Sequence, residues 1–551
     1  MSDSSASSSG LTREQMMDKA REERRFGLLI LENKTGAALA GGVPHFRAAA
    51  DLWEQAGWAS RRAEVLVDLG KLHTKSGNFA DAAEVLGEAL RILGSNEDEQ
   101  RLALEAAHQA GTAYLALKDA DQAVRLFKRA LEFAEKLNDH VQVGVCLLDL
   151  GNAYVAKKDH ANAIKCCERS LPVFVNFRKG IQRAQAHECL GAARAVAGDF
   201  VAAAKDYEAS VTISTELARS FEATETIARW AEMERRRGNF EDAIRLHERC
   251  IATHTQAGNK ALLAQSLRRL GLVHAKKNDH DLACDCYQRS ADLSEAASDH
   301  DGLSRSLYLL GAAEANAQRG GPALAHLERS LAVAKTSNNL HHQEQALSAI
   351  ASLQRQLGAN DDALGTMQLW VQVLQQLGDR ADQLHVLGSI AELQQEMGAF
   401  AEAEAHLTRL IAVCTNDADR AERFRSLHSL GTVLARRGAH REANERFREA
   451  LPGFTDQPAT RARLLHQLGA SELVLGDAKA ALDFLQQSYD HYTQLKDDKS
   501  RVRVLVDIGN AQVALGNKDD AKDLFDEAAE MSENQGDLRA TTIIRKATKT
   551  L

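Results

Sequence analysis

The chain has 551 residues, of which 44% are hydrophobic and 5% aromatic, and only 5 are proline. So little proline beside so much Ala, Leu, Glu, Gln and Arg predicts a mostly helical protein and argues against all-β and parallel α/β folds. The formal net charge of −9 argues against a general nucleic-acid binder, because such a protein needs a dominant positive field. No uninterrupted apolar stretch is long enough to span a membrane.

The first 57 residues precede a regular pattern. The serine-rich residues 1–12 have neither the basic flank nor the apolar segment of a secretory signal, and we expect them to form a short disordered lead. Residues 13–57 are predicted to form a degenerate helical hairpin, since Leu29, Phe46 and Ala49 keep the register of the repeats that follow.

Residues 58–536 are predicted to be an array of twelve repeats, each 38 to 41 residues long. In every copy an anchor residue, large and apolar in eleven of the twelve, is followed directly by Gly or Ala. The anchors are Leu69, Ala110, Leu150, Leu190, Trp230, Leu270, Leu310, Ile350, Ile390, Leu430, Leu468 and Ile508.

Other positions repeat at fixed distances from the anchor. The thirteenth residue after it is alanine in all twelve copies, and the eighth and ninth are Gly and then Asn or Asp in most of them. Gly ends helices in a left-handed conformation and Asx caps the helix that follows, so each repeat is predicted to be helix A, a tight turn and helix B. The small residues indicate close packing of the two helices, completed by a larger plug residue four positions after the alanine, such as Phe127 or Phe447.

This pattern resembles the tetratricopeptide repeat, and its long units are similar to those of Pins-type spindle-orientation adaptors and kinesin light chains. Leu150-Gly151-Asn152 and Ile508-Gly509-Asn510 match the Leu-Gly-Asn variant of those adaptors. The resemblance implies an all-α fold, a right-handed superhelical α-solenoid of about 12–13 helical hairpins. Residues 537–551 are predicted to form a C-terminal capping helix.

In the family that the chain resembles, helix A lines a concave groove. The resemblance therefore places groove side chains five and two residues before each anchor, and two, five and six residues after it. From the fifth repeat onward most charged residues at these positions are basic. The predicted partner-binding residues are Asn152, Arg235, Arg236, Arg268, Lys276, Arg305, Tyr308, Arg355, Arg425, His428, Arg436, Arg463, His466, Arg503 and Asn510.

Guanidinium groups bind carboxylates with two hydrogen bonds and keep their charge. We therefore expect a non-enzymatic scaffold or adaptor that binds an acidic peptide or helix of a partner protein in the groove. Two alternatives stay open: arginines that only form a solvated face paired with neighbouring glutamates, and a peptide-sensing regulator whose superhelix changes conformation on binding. Trp370 and Leu410 replace a small residue, which predicts either local repacking or an exposed apolar contact site.

The sequence contains no P-loop, dinucleotide-binding glycine motif, GxSxG or HExxH, so no catalytic residue and no cofactor are predicted. Cys284 and Cys286 point about 200° apart on a helix, which argues against a metal site. The eight cysteines lack disulfide spacing and predict reduced thiols in a cytoplasmic protein. The two open ends of a solenoid also offer surfaces for self-association.

Overall fold

The computed structural model describes residues 11–93 and 97–550, and every regular element among them is a helix. Residues 1–10 of the predicted N-terminal lead lie outside the described residues. At the start of the first helix the Thr12 side chain accepts a hydrogen bond from the Gln15 N–H, and the Gln15 side chain accepts one from the Thr12 N–H. This reciprocal cap fixes where the helical chain begins.

The chain divides into two compact units, one up to Asp279 and one from His280 onward. The first unit has thirteen α-helices among its described residues: α1 Arg13–Asn33, α2 Gly42–Gln55, α3 Ala59–Lys75, α4 Phe79–Ile92, α5 Glu97–Ala116, α6 Ala120–Lys136, α7 His140–Ala156, α8 His160–Asn176, α9 Gly180–Ala197, α10 Phe200–Glu216, α11 Ser220–Arg237, α12 Phe240–Gln256 and α13 Lys260–Lys276. A 3-10 helix, Gly36–Gly41, joins α1 to α2.

The second unit has fourteen α-helices among its described residues: α14 His280–Ala296, α15 His300–Asn316, α16 Gly320–Thr336, α17 Leu340–Gln356, α18 Asn360–Leu377, α19 Arg380–Glu396, α20 Phe400–Val413, α21 Arg420–Arg436, α22 His440–Ala450, α23 Pro458–Leu475, α24 Ala478–Leu495, α25 Asp498–Leu515, α26 Lys518–Asn534 and α27 Leu538–Lys549. Short 3-10 helices occupy Asp417–Asp419 and Leu451–Phe454. The predicted all-α array of tandem helical hairpins is confirmed. Odd-numbered helices from α3 to α25 are the A helices and even-numbered ones from α4 to α26 the B helices.

The alanine that follows each anchor by thirteen residues lies at the centre of the packing. All twelve of these alanines, from Ala82 to Ala521, are 0% exposed. A methyl group at this position lets a neighbouring helix approach closely, and any larger side chain would push it away. One small side chain per repeat therefore sets the helix spacing.

The glycine after the anchor lies against the plug residue of helix B. A Cβ atom added at Gly431 would lie 2.6 Å from Phe447 Cδ1, and one added at Gly509 would lie 2.6 Å from Phe525 Cε1. Such distances are too short for two carbon atoms, so the ring occupies the space that a side chain would need. In the three repeats where alanine replaces this glycine, the plug residues are His247, Met367 and Leu407. Every phenylalanine or tyrosine plug occurs in a repeat that has glycine at this position.

The turns inside the hairpins have the predicted chemistry. Gly198 ends α9 at φ 88° and Gly238 ends α11 at φ 86°, both in the left-handed region that glycine tolerates best. The Asp199 side chain then accepts a hydrogen bond from the Ala202 N–H and caps α10. These two residues reverse the chain and return helix B along helix A.

Candidate binding face on the A helices

Four arginines hold the same position, five residues before the anchor, on A helices of the second unit. We call Arg305, Arg425, Arg463 and Arg503 the arginine row; they lie on α15, α21, α23 and α25, and all four are exposed. Buried neighbours fix this exposure, because Ala462 and Leu464 on either side of Arg463 are both 0% exposed. The helix cannot rotate to bury the arginine without exposing its apolar neighbours.

Most of the row has no acidic partner among the described residues. Among the described residues, no carboxylate lies within ion-pair distance of Arg305, Arg463 or Arg503. Arg425 is different: its Nη2 lies 2.7 Å from Oε2 of Glu422, a residue that is only 8% exposed. Burial raises the pKa of the Glu422 carboxyl, and Arg425 opposes that shift. Three members of the row therefore keep guanidinium groups that can bind another molecule.

Hydrogen bonds join neighbouring A helices beneath the row. The His428 ring nitrogen Nε2 lies 2.6 Å from Gln467 Oε1, and His466 Nε2 lies 2.7 Å from Asp507 Oδ2. Gln467 also donates to Thr432 Oγ1 at 3.1 Å. Helices α21, α23 and α25 therefore lie side by side, about 8–10 Å apart as packed helices are, which gives the row its spacing.

His428 and His466, both predicted to contact a partner, are half-buried and engaged in these bonds between helices. The His428 ring packs against Phe447 and Phe454, with ring centres 6.1 and 6.0 Å away. Burial lowers the pKa of His428, so the ring is neutral at neutral pH. Both rings hold adjacent repeats in register.

In the first unit, Arg235 and Arg236 lie at a cavity of about 830 Å³ over α9, α11 and α13. Arg235 donates to both carboxylate oxygens of Glu232 at 2.7 Å, and Arg236 Nε donates to Glu232 Oε1 at 2.7 Å. The hydrogen bond from Arg235, and then that from Arg236, lower the pKa of Glu232 to about 2. These two arginines already hold a carboxylate of their own helix.

The cavity wall is part apolar and part cationic. Its other lining includes Tyr207, Met233 and His247. His247 is 2% exposed, and burial lowers its pKa to about 4. The cavity thus has a neutral floor below the charged pairs of α11.

The remaining predicted site residues have varied surroundings. Arg268 is half-buried on α13, Tyr308 is half-buried on α15, and Lys276, Asn152 and Asn510 are exposed. Arg355 Nη2 lies 3.2 Å from Glu396 Oε2, at a cavity of about 470 Å³ lined also by Met367 and Trp370. The guanidinium of Arg436 lies 6.0 Å from the centre of the Phe400 ring.

The two departures from the small-residue rule pack differently. Leu410 is 3% exposed and contacts the cluster of Leu384 and Cys414, which agrees with local repacking. Trp370 is half-buried and lines the smaller cavity beside buried Met367. Of the two, Trp370 alone offers part of its surface to a ligand.

The partners of these histidines were not among the predicted site residues. Gln467 and Asp507 lie one residue before an anchor, and Asp149 takes the same place opposite His108 in the first unit, at 2.7 Å. The sequence does contain a signal for these bonds. In each case a histidine lies two residues before one anchor, and a polar residue lies one residue before the anchor of the next repeat.

Nowhere in residues 11–93 and 97–550 do three or more His, Cys, Asp or Glu side chains converge as a metal site would require. Cys284 is half-buried and Cys286 buried, both as free thiols. None of the described helices combines the length and hydropathy needed to cross a bilayer.

Solved structures with similar arrangements share little sequence. BtubC from P. vanneervenii is 19% identical, with 40% of this chain and 92% of that chain covered and a TM-score of 0.35. Aspartyl phosphate phosphatase F from Bacillus subtilis is 14% identical, with 68% of this chain and 95% of that chain covered and a TM-score of 0.39. A putative kinesin light chain from Podosopora anserina is 16% identical, with 36% of this chain and 96% of that chain covered and a TM-score of 0.32.

The family comparison is decisive. No curated protein matches the sequence. The model of the tetratricopeptide repeat matches residues 102–174, 222–296, 262–336, 382–456 and 460–534, which together exceed half of the chain. The repeat period, the buried alanines and the helix–turn–helix hairpins of this chain agree with that match. The chain belongs to the tetratricopeptide repeat family.

Proposed function

We propose that this protein is an interaction scaffold that binds an acidic segment of a partner protein along its arginine row. The repeat fold indicates a scaffold for protein–protein interaction, a role that requires no catalytic group. The row supports the finer proposal because Arg305, Arg463 and Arg503 are exposed and lack an acidic partner among the described residues.

The first unit provides the contrast that carries this proposal. At the same position, five before the anchor, it has Glu64, Glu105 and Glu225. Each of these is paired within the chain, by Arg24 at 2.6 Å, Lys71 at 2.8 Å and Arg269 at 3.8 Å respectively. The acidic positions of the first unit are thus neutralised internally, whereas the arginines of the second unit are largely left for a ligand.

The spacing of the row sets the spacing of acidic residues in the ligand. Adjacent A helices lie about 10 Å apart. A helical ligand rises about 1.5 Å per residue, so acidic residues seven apart would meet consecutive arginines. An extended ligand advances about 3.3 Å per residue and would need an acidic residue at every third position.

Fluorescence anisotropy with labelled peptides tests this proposal. A helical peptide with glutamates seven residues apart should bind to the wild type. The row variant, which combines Arg463→Glu with Arg503→Glu, should bind this peptide about tenfold or more weakly, since each exposed ion pair contributes about 0.2–1 kcal/mol and charge reversal adds repulsion. Arg409, an exposed arginine on a B helix, supplies the control Arg409→Glu. Equal binding by the row variant and the control would refute the proposal.

Affinity purification with the same variants would then identify the natural partner. We expect a protein that the wild type and Arg409→Glu recover from native lysate and that the row variant loses. Small-angle scattering separates the alternative of a peptide-sensing regulator, because a fall in the radius of gyration on peptide binding would favour it.

A further inference from the structure

Helix α26 carries a stripe of acidic side chains on the side that faces away from the protein. We call Asp519, Asp523, Asp526, Glu530 and Glu533 the acidic stripe; all five are exposed. At about 100° per residue they fall within a narrow sector of the helix. Phe525 and Ala528 are buried on the opposite side, so the stripe faces solvent.

Four of the five stripe residues have no ion pair with another described residue. Glu533 lies 2.5 Å from Arg545 Nη2. Among the described residues, no cation lies within ion-pair distance of Asp519, Asp523, Asp526 or Glu530. Like charges on one helix face repel each other unless a cationic partner covers them. Four unpaired carboxylates on one face therefore fit a surface of opposite charge.

The arginine row has both the charge and the spacing to cover this stripe. Asp519 and Asp526 are seven residues apart, which is about 10.5 Å along a helix. Arg463 and Arg503 lie on the consecutive A helices α23 and α25, which pack about 10 Å apart. Two unpaired acids of the stripe can thus align with two unpaired arginines of the row.

The row and stripe of one chain cannot reach each other. Phe525 packs against Gly509 and fixes α26 beside α25, with the stripe on the side turned away. We infer that the acidic stripe of one copy of this chain docks along the arginine row of a second copy. This inference rests on the proposed function, since it assigns an occupant to the same row.

The docking can be reciprocal. Both surfaces lie in the second unit, so a two-fold axis can place each stripe on the other copy's row and close a dimer. The contacts are exposed ion pairs, which makes such a dimer sensitive to salt.

Sedimentation velocity and light scattering on the full chain test this dimer. We expect a concentration-dependent dimer at about 50 mM salt that dissociates at about 500 mM, where screening is strong. The row variant with Arg463→Glu and Arg503→Glu, and a stripe variant with Asp519→Arg and Asp526→Arg, should each be monomeric alone. An equimolar mixture of the two should dimerise, because both aligned contacts then join opposite charges.

A matched control changes acids elsewhere. Asp483 and Asp490 are exposed, seven residues apart, on the B helix of the preceding repeat. Asp483→Arg with Asp490→Arg should leave the dimer intact. A wild type that stays monomeric at low salt, or a charge-swapped mixture that does not associate, would overturn the inference. If a monomeric wild type still binds the acidic peptide through the row, the proposed function stands and the self-docking alone fails.

Discussion

His466 Nε2 lies 2.7 Å from Asp507 Oδ2 and thereby joins α23 to the next A helix, α25. In a repeat protein each unit contacts mainly its neighbours, so stability depends on interface terms of this kind. His466 and Asp507 each lie one helical turn from a member of the arginine row, Arg463 and Arg503 respectively, so the bond ties together the two helices that carry them.

We predict that Asp507→Ala lowers the free energy of unfolding by about 1 kcal/mol, because a half-buried hydrogen bond between repeats is lost. A double-mutant cycle with His466→Ala, measured by urea unfolding, should give a coupling of about the same size. Asn510→Ala is the control, since Asn510 is exposed on the same helix and its side chain forms no hydrogen bond with another described residue. A coupling near zero would show that the bond does not stabilise the interface.

The glycine and the ring that face each other inside a hairpin give a second prediction. Gly431→Ala should destabilise the protein by about 1–3 kcal/mol, as overpacking does, because its Cβ would lie 2.6 Å from the Phe447 ring. Phe447→Leu in that background should recover part of the loss, since leucine is smaller and more adaptable. Thermal unfolding of the two variants measures this. If Phe447→Leu adds its own full cost to that of Gly431→Ala, the steric explanation is wrong.

Much of this packing could be predicted from the sequence. The alanine that recurs after every anchor predicted a buried small-residue contact, and all twelve are fully buried. The bond between His428 and Gln467 could not be predicted, because it depends on the distance between two repeats. The ion pair between Glu232 and Arg235 could be predicted only in part. The three-residue spacing that allows it is visible in the sequence, but which of the neighbouring charges would pair is not.

The turn between two hairpins gives a third prediction, concerning backbone strain. Ala218 adopts φ 55°, and Gly258 takes the equivalent place forty residues later at φ 65°. Left-handed conformations cost alanine about 1 kcal/mol more than glycine. Ala218→Gly should therefore stabilise the protein by about 0.5–1 kcal/mol in spite of the extra chain entropy that glycine brings.

The reverse change supplies the control for this turn. A Cβ at Gly258 would meet no atom within 4 Å, so Gly258→Ala tests the backbone alone. It should destabilise by about the amount that Ala218→Gly gains, in the same urea titration. Opposite signs for the two variants are required. Two changes of the same sign would mean that side-chain contacts decide the outcome.

The last prediction concerns acid stability and depends on His247. Burial lowers its folded-state pKa to about 4, well below the ordinary 6.5. A depressed histidine pKa favours the neutral ring, so its stabilisation is complete above pH 6.5 and is lost as pH falls toward 4. The loss between pH 7 and pH 5 should be about 2 kcal/mol. His247→Leu should remove this part of the pH dependence of unfolding, whereas the exposed control His385→Gln should not. Identical pH profiles for wild type and His247→Leu would show that His247 titrates normally in the folded protein.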